Sequence, residues 1–174
     1  VAGRRCGALV CEDVWDEGYP AHPAASLAAK GAEALLALVA SPWRAGIPAE
    51  RLRAARRHRK PIAFVNAVGV RDELVFDGGS FALSGDGDEI ARLPRFAEGL
   101  EVVDLGAVEP VAPAAGTEPE ADLFAALAFG VRGFVEGNAL PSVVLGLSGG
   151  VDSALVAAIA VEALGASRVV AIHV

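Results

Sequence analysis

The sequence predicts an α/β fold in two domains, and three observations lead to that prediction. Short apolar segments alternate with helix-like segments through residues 7–68. A segment rich in proline, alanine and glutamate follows at 107–120, which is typical of a linker. Residues 142–174 then have the order strand, glycine turn, helix, strand. We therefore expect one domain at 1–106 and another at 121–174.

The first domain begins with alternating strands and helices. The predicted elements are a strand at 7–11, a helix at 22–31, a strand at 34–40, a helix at 49–59 and a strand at 61–68. Gly31 ends the first helix, Pro48 begins the second, and Pro61 lies beyond its end. Residues 12–19 form an acidic and aromatic loop after the first strand. This order predicts helices packed on a sheet.

The end of the first domain has an antiparallel character. Residues 80–84 alternate as a strand does, and the Gly-Asp-Gly-Asp segment at 85–88 predicts a turn between strands. Segments 89–96 and 100–105 are expected to complete an antiparallel edge of the sheet.

The second domain is predicted to open with a helix and continue into a βαβ unit. Apolar residues recur at helical spacing within 121–138. A buried strand at 142–147, a glycine turn at 148–153, a helix at 154–164 and a strand at 168–174 follow, with Gly165 as the helix cap. A crossover of this length implies a parallel pair of strands.

Composition indicates a globular protein and excludes several classes of function. Hydrophobic residues make up 53% and charged residues 21% of the chain, unlike a disordered segment. The net charge of −7 argues against nucleic acid as a partner, because phosphates attract basic faces. The basic run at 51–60 is interpreted as a solvated helix face.

Cysteine content and hydropathy indicate the cell compartment. Two cysteines, Cys6 and Cys11, are too few for a disulfide scaffold and have no zinc-site spacing. No apolar run is long enough to span a membrane. We therefore expect a cytosolic enzyme without a membrane partner. Because the chain starts at Val1 and ends at Val174 within a predicted strand, we also expect it to be a fragment.

The strongest motif is a glycine-rich loop between a strand and a helix. Its residues are Ser148, Gly149, Gly150, Val151, Asp152 and Ser153. Glycines allow a tight turn, and helix-start amides with two hydroxyls can bind an anion. A Walker loop would need Gly-Lys followed by Ser or Thr, and no lysine is present. Asp152 would not attract a phosphate, but it could hold a Mg²⁺ that bridges phosphate oxygens.

This SGGxDS motif resembles the loop of the ATP-pyrophosphatase family, whose members bind ATP and release pyrophosphate as they adenylate an acceptor. The resemblance implies ATP and Mg²⁺ as cofactors, with Asp152 as the metal ligand. The implied ATP-binding residues are Gly146, Leu147, Ser148, Gly149, Gly150, Val151, Asp152 and Ser153.

A second motif surrounds a cysteine at the end of the first strand, in the segment LVCEDVW at 9–15. A thiol at Cys11 could attack an amide carbonyl and form a thioester. It would need a base and an oxyanion donor, and no nearby histidine forms a Cys/His pattern. Taken alone, a cysteine such as Cys11 is more often a small buried hydrophobic residue than a nucleophile, and Cys6 is interpreted in that way.

Three segments resemble nitrilase-superfamily glutaminases in the version fused to NAD synthetase. They are CEDVW at 11–15, ASPW at 40–43 and DELVFDGGS at 72–80. The resemblance runs over nearly the whole chain, in the same domain order. It implies the C-terminal half of a nitrilase-like α-β-β-α sandwich, followed by the first βαβ unit of a doubly wound, Rossmann-like ATP-pyrophosphatase domain.

The resemblance also implies roles for residues and partners. Cys11 would be the nucleophile, the backbone N–H of Glu12 would help to stabilise the oxyanion, and Glu12 and Ser41 would bind glutamine. The family's Glu base and oxyanion Lys come from earlier in the chain. The implied activity is the ATP-dependent amidation of deamido-NAD with ammonia from glutamine. The small-molecule substrates would be deamido-NAD, glutamine and ATP, and the implied assembly is a homo-oligomer.

The chain departs from the family pattern at several positions. Ile47 stands where a Lys is expected six residues after Ser41, and Val39 replaces a frequent Asn. We hypothesise that Arg44 supplies the missing charge. Two alternatives stay open: another ATP-pyrophosphatase, such as a GMP synthetase, an asparagine synthetase or a tRNA-thiolating enzyme, and an inactive fragment.

Overall fold

The computed structural model describes residues 3–106, 109–112 and 118–174. The chain divides into two compact units. The first unit takes in the described residues of 1–68 and 76–115, and the second takes in residues 69–75 and the described residues of 116–174.

The first unit is built on a mixed five-stranded sheet with the strand order β1-β2-β3-β6-β7. In chain order, the helices and strands up to residue 92 are β1 (Cys6–Val10), α1 (Pro23–Ala29), β2 (Ala34–Val39), α2 (Ile47–Arg56), β3 (Ile62–Asn66), β4 (Val68–Arg71), β5 (Leu74–Asp77), β6 (Phe81–Leu83) and β7 (Glu89–Arg92). Residues 69–75, which include most of β4 and the start of β5, belong to the second unit. Strands β1, β2 and β3 are parallel, whereas β6 and β7 run antiparallel to their neighbours. The predicted strand–helix alternation, the turn at 85–88 and the antiparallel edge at β6 and β7 are confirmed.

One face of this sheet is covered by the two helices. Leu9, Leu35 and Phe64 are fully buried on that face, in one apolar cluster with Ala24 of α1 and Ala54 of α2. Alternate residues of a strand point to opposite faces, so the next side chains along each strand lie on the other face. There the large side chains Val10, Leu38 and Val65 are each at least half exposed. The sheet is therefore apolar on both faces, as expected of a layer between two others.

Strands β4 and β5 form a separate two-stranded hairpin, and the chain then turns sharply at Gly78 and Gly79. Both glycines have left-handed backbones, with φ of 67° and 63°. A Cβ on Gly78 would lie 2.5 Å from Val68 Cγ2. The turn therefore requires glycine for conformation and for space.

The second unit contains α3 (Pro119–Gly137), β8 (Val143–Leu147), α4 (Val151–Leu164) and β9 (Val169–His173). Strands β8 and β9 are parallel, in the register Val143↔Val169 to Leu147↔His173. Helices α3 and α4 are joined where Arg132 Nε donates to the Ala163 carbonyl at 2.7 Å. The predicted βαβ unit is thus confirmed. The strand at 142–147 was expected to be buried, but Val144 is 63% exposed, and Val170 and Ile172 of β9 are each about half exposed.

Several predicted elements differ from the structure, and one of them is the glycine turn at 148–153, within which α4 already begins at Val151. The first strand ends at Val10, and Cys11–Trp15 forms a short 3₁₀ helix. Segment 100–105 is not a strand, and Leu100 and Val102 are each 97% exposed. The predicted linker at 107–120 is shorter at its end, because α3 already begins at Pro119. Residues 107–108 and 113–117 of that predicted linker lie outside the described residues.

Candidate functional site

Three polar side chains lie at the carboxyl ends of the parallel strands. Cys11 directly follows β1, Ser41 follows β2, and Asn66 ends β3. The register pairs Val10 with Leu38 and Val39 with Asn66, so these ends meet at one edge of the sheet. This edge is the usual location of a ligand site in sheets with parallel strands.

Cys11 has an unusual backbone conformation. Its φ is +45°, a left-handed value that is uncommon for residues other than glycine. Asp13 stabilises this turn, because its Oδ2 accepts the Val10 N–H at 2.8 Å. The half-buried side chain of Cys11 packs at the border of the main apolar cluster. A left-handed turn of this kind at a strand end holds a side chain in one orientation, as a nucleophile requires.

Residues of α2 and its C-terminal end anchor the rest of this turn. His58 Nε2 lies 3.1 Å from the Val14 carbonyl, and Arg57 Nη2 donates to Asp16 Oδ1 at 2.6 Å. His22 Nδ1 lies 3.3 Å from Asp16 Oδ2. Both histidines are therefore engaged with the turn's own carbonyl and carboxylate, which agrees with the absence of a Cys/His pattern in the sequence.

Glu12 is exposed and accepts a hydrogen bond from the Tyr19 hydroxyl at 3.0 Å through Oε1. This bond to a carboxylate raises the pKa of Tyr19, because ionised tyrosine could not donate it. The side chain of Glu12 is thus directed across the loop that follows the 3₁₀ helix.

Ser41 is buried within a network of side-chain bonds. Asn66 Oδ1 accepts the Ser41 N–H at 2.9 Å, and Asn66 Nδ2 donates to the Gly78 carbonyl at 3.0 Å. Arg51 Nη2 donates to the Ser41 carbonyl at 2.7 Å, and Arg51 Nε donates to the Ser41 hydroxyl at 3.2 Å. The segment after β2 is therefore held from two sides.

Asp77 provides the counter-charge for this network. It is fully buried and lies between two arginines: Arg51 Nη1 is 2.8 Å from Oδ1, and Arg95 Nε donates to Oδ2 at 2.8 Å. The Arg51 contact is an ion pair whose angle is not that of a hydrogen bond. Burial lowers the pKa of the Arg51 guanidinium, and the charge of Asp77 opposes that shift.

The interpretation of the basic run at 51–60 as a solvated helix face is wrong at Arg51. This residue is only 2% exposed, although Arg53 of the same run is exposed. Arg51 shares the buried face of α2 with Ile47, Ala54 and Ala55, at the spacing of one helical face. That spacing was visible in the sequence and would have identified Arg51 as an inward-facing residue.

Ile47 and Arg44 lie at the start of α2. Ile47 is buried, at 4% exposure, and so occupies an apolar position. Arg44 forms two bonds to Glu50, Nη1–Oε1 at 2.7 Å and Nη2–Oε2 at 2.5 Å, and this pairing lowers the pKa of Glu50. Because Glu50 neutralises the guanidinium, the hypothesis that Arg44 replaces a substrate-binding lysine receives no support from this geometry.

The glycine-rich loop of the second unit connects β8 to α4. Gly149 has φ of 82°, and Gly150, with φ of −84°, is the N-cap of α4. Gly149 and Gly150 form the bend, and Val151–Ser153 already belong to the helix. The first N–H groups of a helix have no acceptor within it, so they are available to an anion.

Two serines fasten this loop. Ser153 Oγ donates to the Gly150 carbonyl at 2.9 Å and accepts the Ser148 N–H at 3.3 Å. The Ser148 and Ser153 hydroxyl oxygens lie 3.2 Å apart. The loop is exposed at Ser148, Gly149 and Gly150, and the N–H groups of Ser148 and Gly150 donate to the hydroxyls of Ser153 and Ser148.

Asp152 is exposed in the first turn of α4. Among the described residues, no cluster of three or more acidic, histidine or cysteine side chains could hold a metal ion. Mg²⁺ is commonly bound by one or two carboxylates together with substrate phosphates and water. A single carboxylate beside an anion-binding turn therefore fits Mg²⁺ bound jointly with a nucleotide.

Comparison with known proteins agrees with this arrangement. The family model for carbon-nitrogen hydrolases matches residues 1–110, and the model for NAD synthase matches residues 123–174. The chain belongs to the carbon-nitrogen hydrolase family. The second match begins after the predicted linker and includes the whole loop between β8 and α4.

Curated relatives match almost the whole chain. A glutamine-dependent NAD(+) synthetase from Rhodobacter capsulatus is 41% identical over 175 residues, covering 94% of this chain and 31% of the relative. A glutamine-dependent NAD(+) synthetase from Synechocystis sp. is 38% identical over 184 residues, covering 97% of this chain and 33% of the relative. The chain spans about a third of the length of these relatives.

A solved structure confirms the fold class. Glutamine-dependent NAD+ synthetase from Acinetobacter baumannii, in complex with adenosine diphosphate, superposes with a TM-score of 0.88 at 35% identity. The match covers 99% of this chain and 34% of that chain. The nitrilase-like layer followed by the start of an NAD synthase domain is thus the fold of this chain.

No helix within the described residues is long and apolar enough to cross a membrane.

Proposed function

We propose that the chain is part of a longer glutamine-dependent NAD synthetase, in which it supplies the cysteine nucleophile and the ATP-binding loop. The observation that carries this proposal is the pairing, on one chain, of a strained cysteine turn with a glycine-rich loop opening a helix. The relatives that match both regions are named glutamine-dependent NAD(+) synthetase.

In the first unit, the Cys11 thiolate would attack the side-chain amide carbon of glutamine. A C–S bond forms, the C–N bond breaks and ammonia leaves, after which water hydrolyses the thioester to glutamate. The N–H of Glu12, directly after the nucleophile, would donate to the oxyanion, and Ser41 would help to bind glutamine. The family resemblance places a Glu base and a Lys earlier in such an enzyme.

In the second unit, residues 146–153 would bind ATP, with the N–H groups at the start of α4 and the Ser148 hydroxyl directed at its phosphates. Asp152 would hold Mg²⁺, which neutralises phosphate charge when bound. The carboxylate of deamido-NAD would attack the α-phosphorus of ATP and release pyrophosphate. Ammonia would then displace AMP and form the amide of NAD.

The test uses the full-length enzyme with deamido-NAD, Mg-ATP and either glutamine or ammonium. NAD, AMP and glutamate are followed by mass spectrometry for the wild type, Cys11→Ala and the matched control Cys6→Ala. We expect NAD from both nitrogen sources, with only the glutamine-driven route lost in Cys11→Ala and neither route lost in Cys6→Ala. ATP turnover without NAD from either source would instead favour another ATP-pyrophosphatase.

Cellular location and assembly belong to the same proposal. The family resemblance supports a homo-oligomer that acts on small molecules, and the acidic composition argues against nucleic acid as a partner. The low cysteine content supports a cytosolic location. Sedimentation velocity of the full-length enzyme measures the assembly, and a concentration-independent monomer would contradict it.

A further inference from the structure

The buried arginine of α2 donates its hydrogen bonds to the predicted glutamine-binding segment. Arg51 donates to both the carbonyl and the hydroxyl of Ser41, at 2.7 and 3.2 Å, and a further contact reaches the Pro42 carbonyl at 3.4 Å. Its remaining charged contact is the ion pair with Asp77. One guanidinium therefore connects α2, the turn after β2 and the end of β5.

Packing alone does not require an ion pair at this position. Both side chains are at most 2% exposed, so each charge loses its hydration. Replacement of buried ion pairs by apolar residues of similar volume is often neutral or stabilising in proteins. The neighbours of Arg51 on the buried face of α2 are Ile47, Ala54 and Ala55, among which a leucine or methionine would also pack. The arginine therefore points to a role in orienting its partners.

The contact with the hydroxyl determines what Ser41 can offer a ligand. A serine hydroxyl has one proton and two acceptor sites, and the Arg51 Nε–H occupies one of the acceptor sites. The hydroxyl proton is repelled by the guanidinium and is directed away from it. Meanwhile the N–H of Ser41 is bound by Asn66 Oδ1 at 2.9 Å, so the backbone cannot rotate freely. The result is a fixed hydroxyl donor at the edge of the sheet.

We propose that Arg51 is a positioning residue for glutamine binding: with Asp77 as its counter-ion, it holds the Ser41 hydroxyl as a donor to an acceptor oxygen of glutamine. This proposal rests on the proposed function. It assigns a role to a buried pair that touches no substrate and acts only through Ser41. It also explains why the acidic residue at the end of β5 is enclosed by two arginines, since Arg95 balances the second oxygen of Asp77.

The first test is Arg51→Lys in the full-length enzyme. Lysine keeps the charge, but its single ammonium cannot match the fork that reaches Asp77, the Ser41 carbonyl and the Ser41 hydroxyl together. We expect the KM for glutamine to rise about tenfold, the effect of one lost charge-assisted hydrogen bond. The rate with ammonium should stay within about twofold, because that route bypasses Ser41. Arg53→Lys, on the exposed face of α2, is the matched control and should change neither.

A second variant separates positioning from folding. Arg51→Met combined with Asp77→Asn removes both charges of the pair at similar side-chain volume, and the asparagine Oδ1 still offers an acceptor to Arg95, whose side chain is 25% exposed. The melting temperature should therefore stay near that of the wild type. We expect the KM for glutamine to remain raised although the fold is intact. A KM equal to that of the wild type in this double variant would overturn the proposal and leave the pair with a structural role alone.

The outcomes also distinguish the two proposals. If the wild type makes no NAD from either nitrogen source, the proposed function fails. If the wild type uses glutamine and Arg51→Lys has an unchanged KM for it, only the positioning role fails. Should the double variant not fold, the comparison of Arg51→Lys with Arg53→Lys decides the matter.

Discussion

At the scale of single residues, the two neighbouring glycines of the loop between β8 and α4 have different conformational requirements. Gly149 has a left-handed backbone, whereas the φ of Gly150, −84°, is accessible to any residue. An added Cβ would meet no atom within 4 Å at Gly149 and would lie 3.5 Å from Ser148 Oγ at Gly150. Conformation, and not crowding, therefore distinguishes the two positions.

We predict that Gly149→Ala lowers the free energy of unfolding by about 1–2 kcal/mol, the cost of a left-handed conformation at a residue with a Cβ. Gly150→Ala should be close to neutral. Urea denaturation of the full-length enzyme, followed through the second unit, measures both. Equal losses in the two variants would show that the left-handed backbone at Gly149 is not the cause.

The Arg44–Glu50 pair makes a prediction about pH. Its bonds lower the pKa of Glu50, so the carboxylate stabilises the folded state above its unfolded pKa, and this contribution disappears as the pH falls through the folded pKa. Arg44→Gln should therefore raise the pKa of Glu50. Arg53→Gln is the control, since Arg53 acts on Glu50 only through space and should give a smaller rise.

An NMR titration of the Glu50 carboxyl carbon measures these shifts. The pair is exposed, so added salt should weaken the effect of Arg44. A Glu50 pKa that does not respond to Arg44→Gln would contradict the pairing of Arg44 with Glu50.

At the scale of elements, α3 contacts the hairpin segment of its own unit through glycines. A Cβ on Gly133 would lie 2.4 Å from Val70 Cγ2, and one on Gly130 would lie 3.2 Å from Val75 Cγ2. Valine has a stiff side chain, so the contact cannot be relieved by a simple rotation. Gly137 of the same helix has no atom within 4 Å of such a Cβ.

We predict that Gly133→Ala destabilises the protein, because overpacking here costs about 1–3 kcal/mol. Gly137→Ala should be neutral or stabilising, as alanine is the better helix former. Thermal unfolding compares the two. Adding Val70→Ala to Gly133→Ala should restore part of the loss, and no recovery would mean that the crowding lies elsewhere.

Asp77 at the end of β5 pairs with Arg51 of α2 and with Arg95, so its replacement should strongly lower the free energy of unfolding. Removal of one charge from a buried pair typically costs about 3–5 kcal/mol, because the partner charge remains buried. We therefore predict a loss of this size for Asp77→Asn. Asp72→Asn is the control, since Asp72 is exposed and its left-handed φ of 51° suits asparagine. Chemical denaturation measures both, and similar effects would contradict the importance of the buried pair.

At the scale of the whole molecule, the chain has extensive exposed apolar surface in each unit. Val10 and Leu38 are exposed on the first sheet, and Val144, Leu155 and Ile172 are exposed in the second unit. Single exposed apolar residues are ordinary, but repeated ones on sheets and helices favour association.

We predict that the isolated 174-residue chain self-associates and binds a hydrophobic dye. We also predict that it does not synthesise NAD. Sedimentation velocity over a range of concentrations and dye fluorescence measure this. The full-length enzyme is the control and should bind less dye per chain. A sharply melting 174-residue monomer without dye binding would refute the prediction.

The sequence predicted most elements of both units, because each has a local pattern. Apolar runs marked β1, β2 and β3, and glycine or proline marked most helix ends. The prediction of a strand at 100–105 was wrong, because an apolar composition does not require strand pairing. The hairpin of β4 and β5 was not predicted, since segment 72–80 was identified by its resemblance to a family and not by strand periodicity. The site residues Cys11, Glu12, Ser41 and 146–153 stay predictions until the variants are measured.

The sequence by itself determined the fold class, the order of the two domains and the candidate chemical motifs, because these depend on periodicity and on short segments. Tertiary structure alone decided that Arg51 has a buried counter-ion, that Asp77 lies between two arginines and that Ser41 is held by Arg51 and Asn66. The physical reason is that a charged residue has the same local pattern whether water or a distant counter-ion solvates it. Only folding brings residues 41, 51, 66, 77 and 95 close enough to replace water.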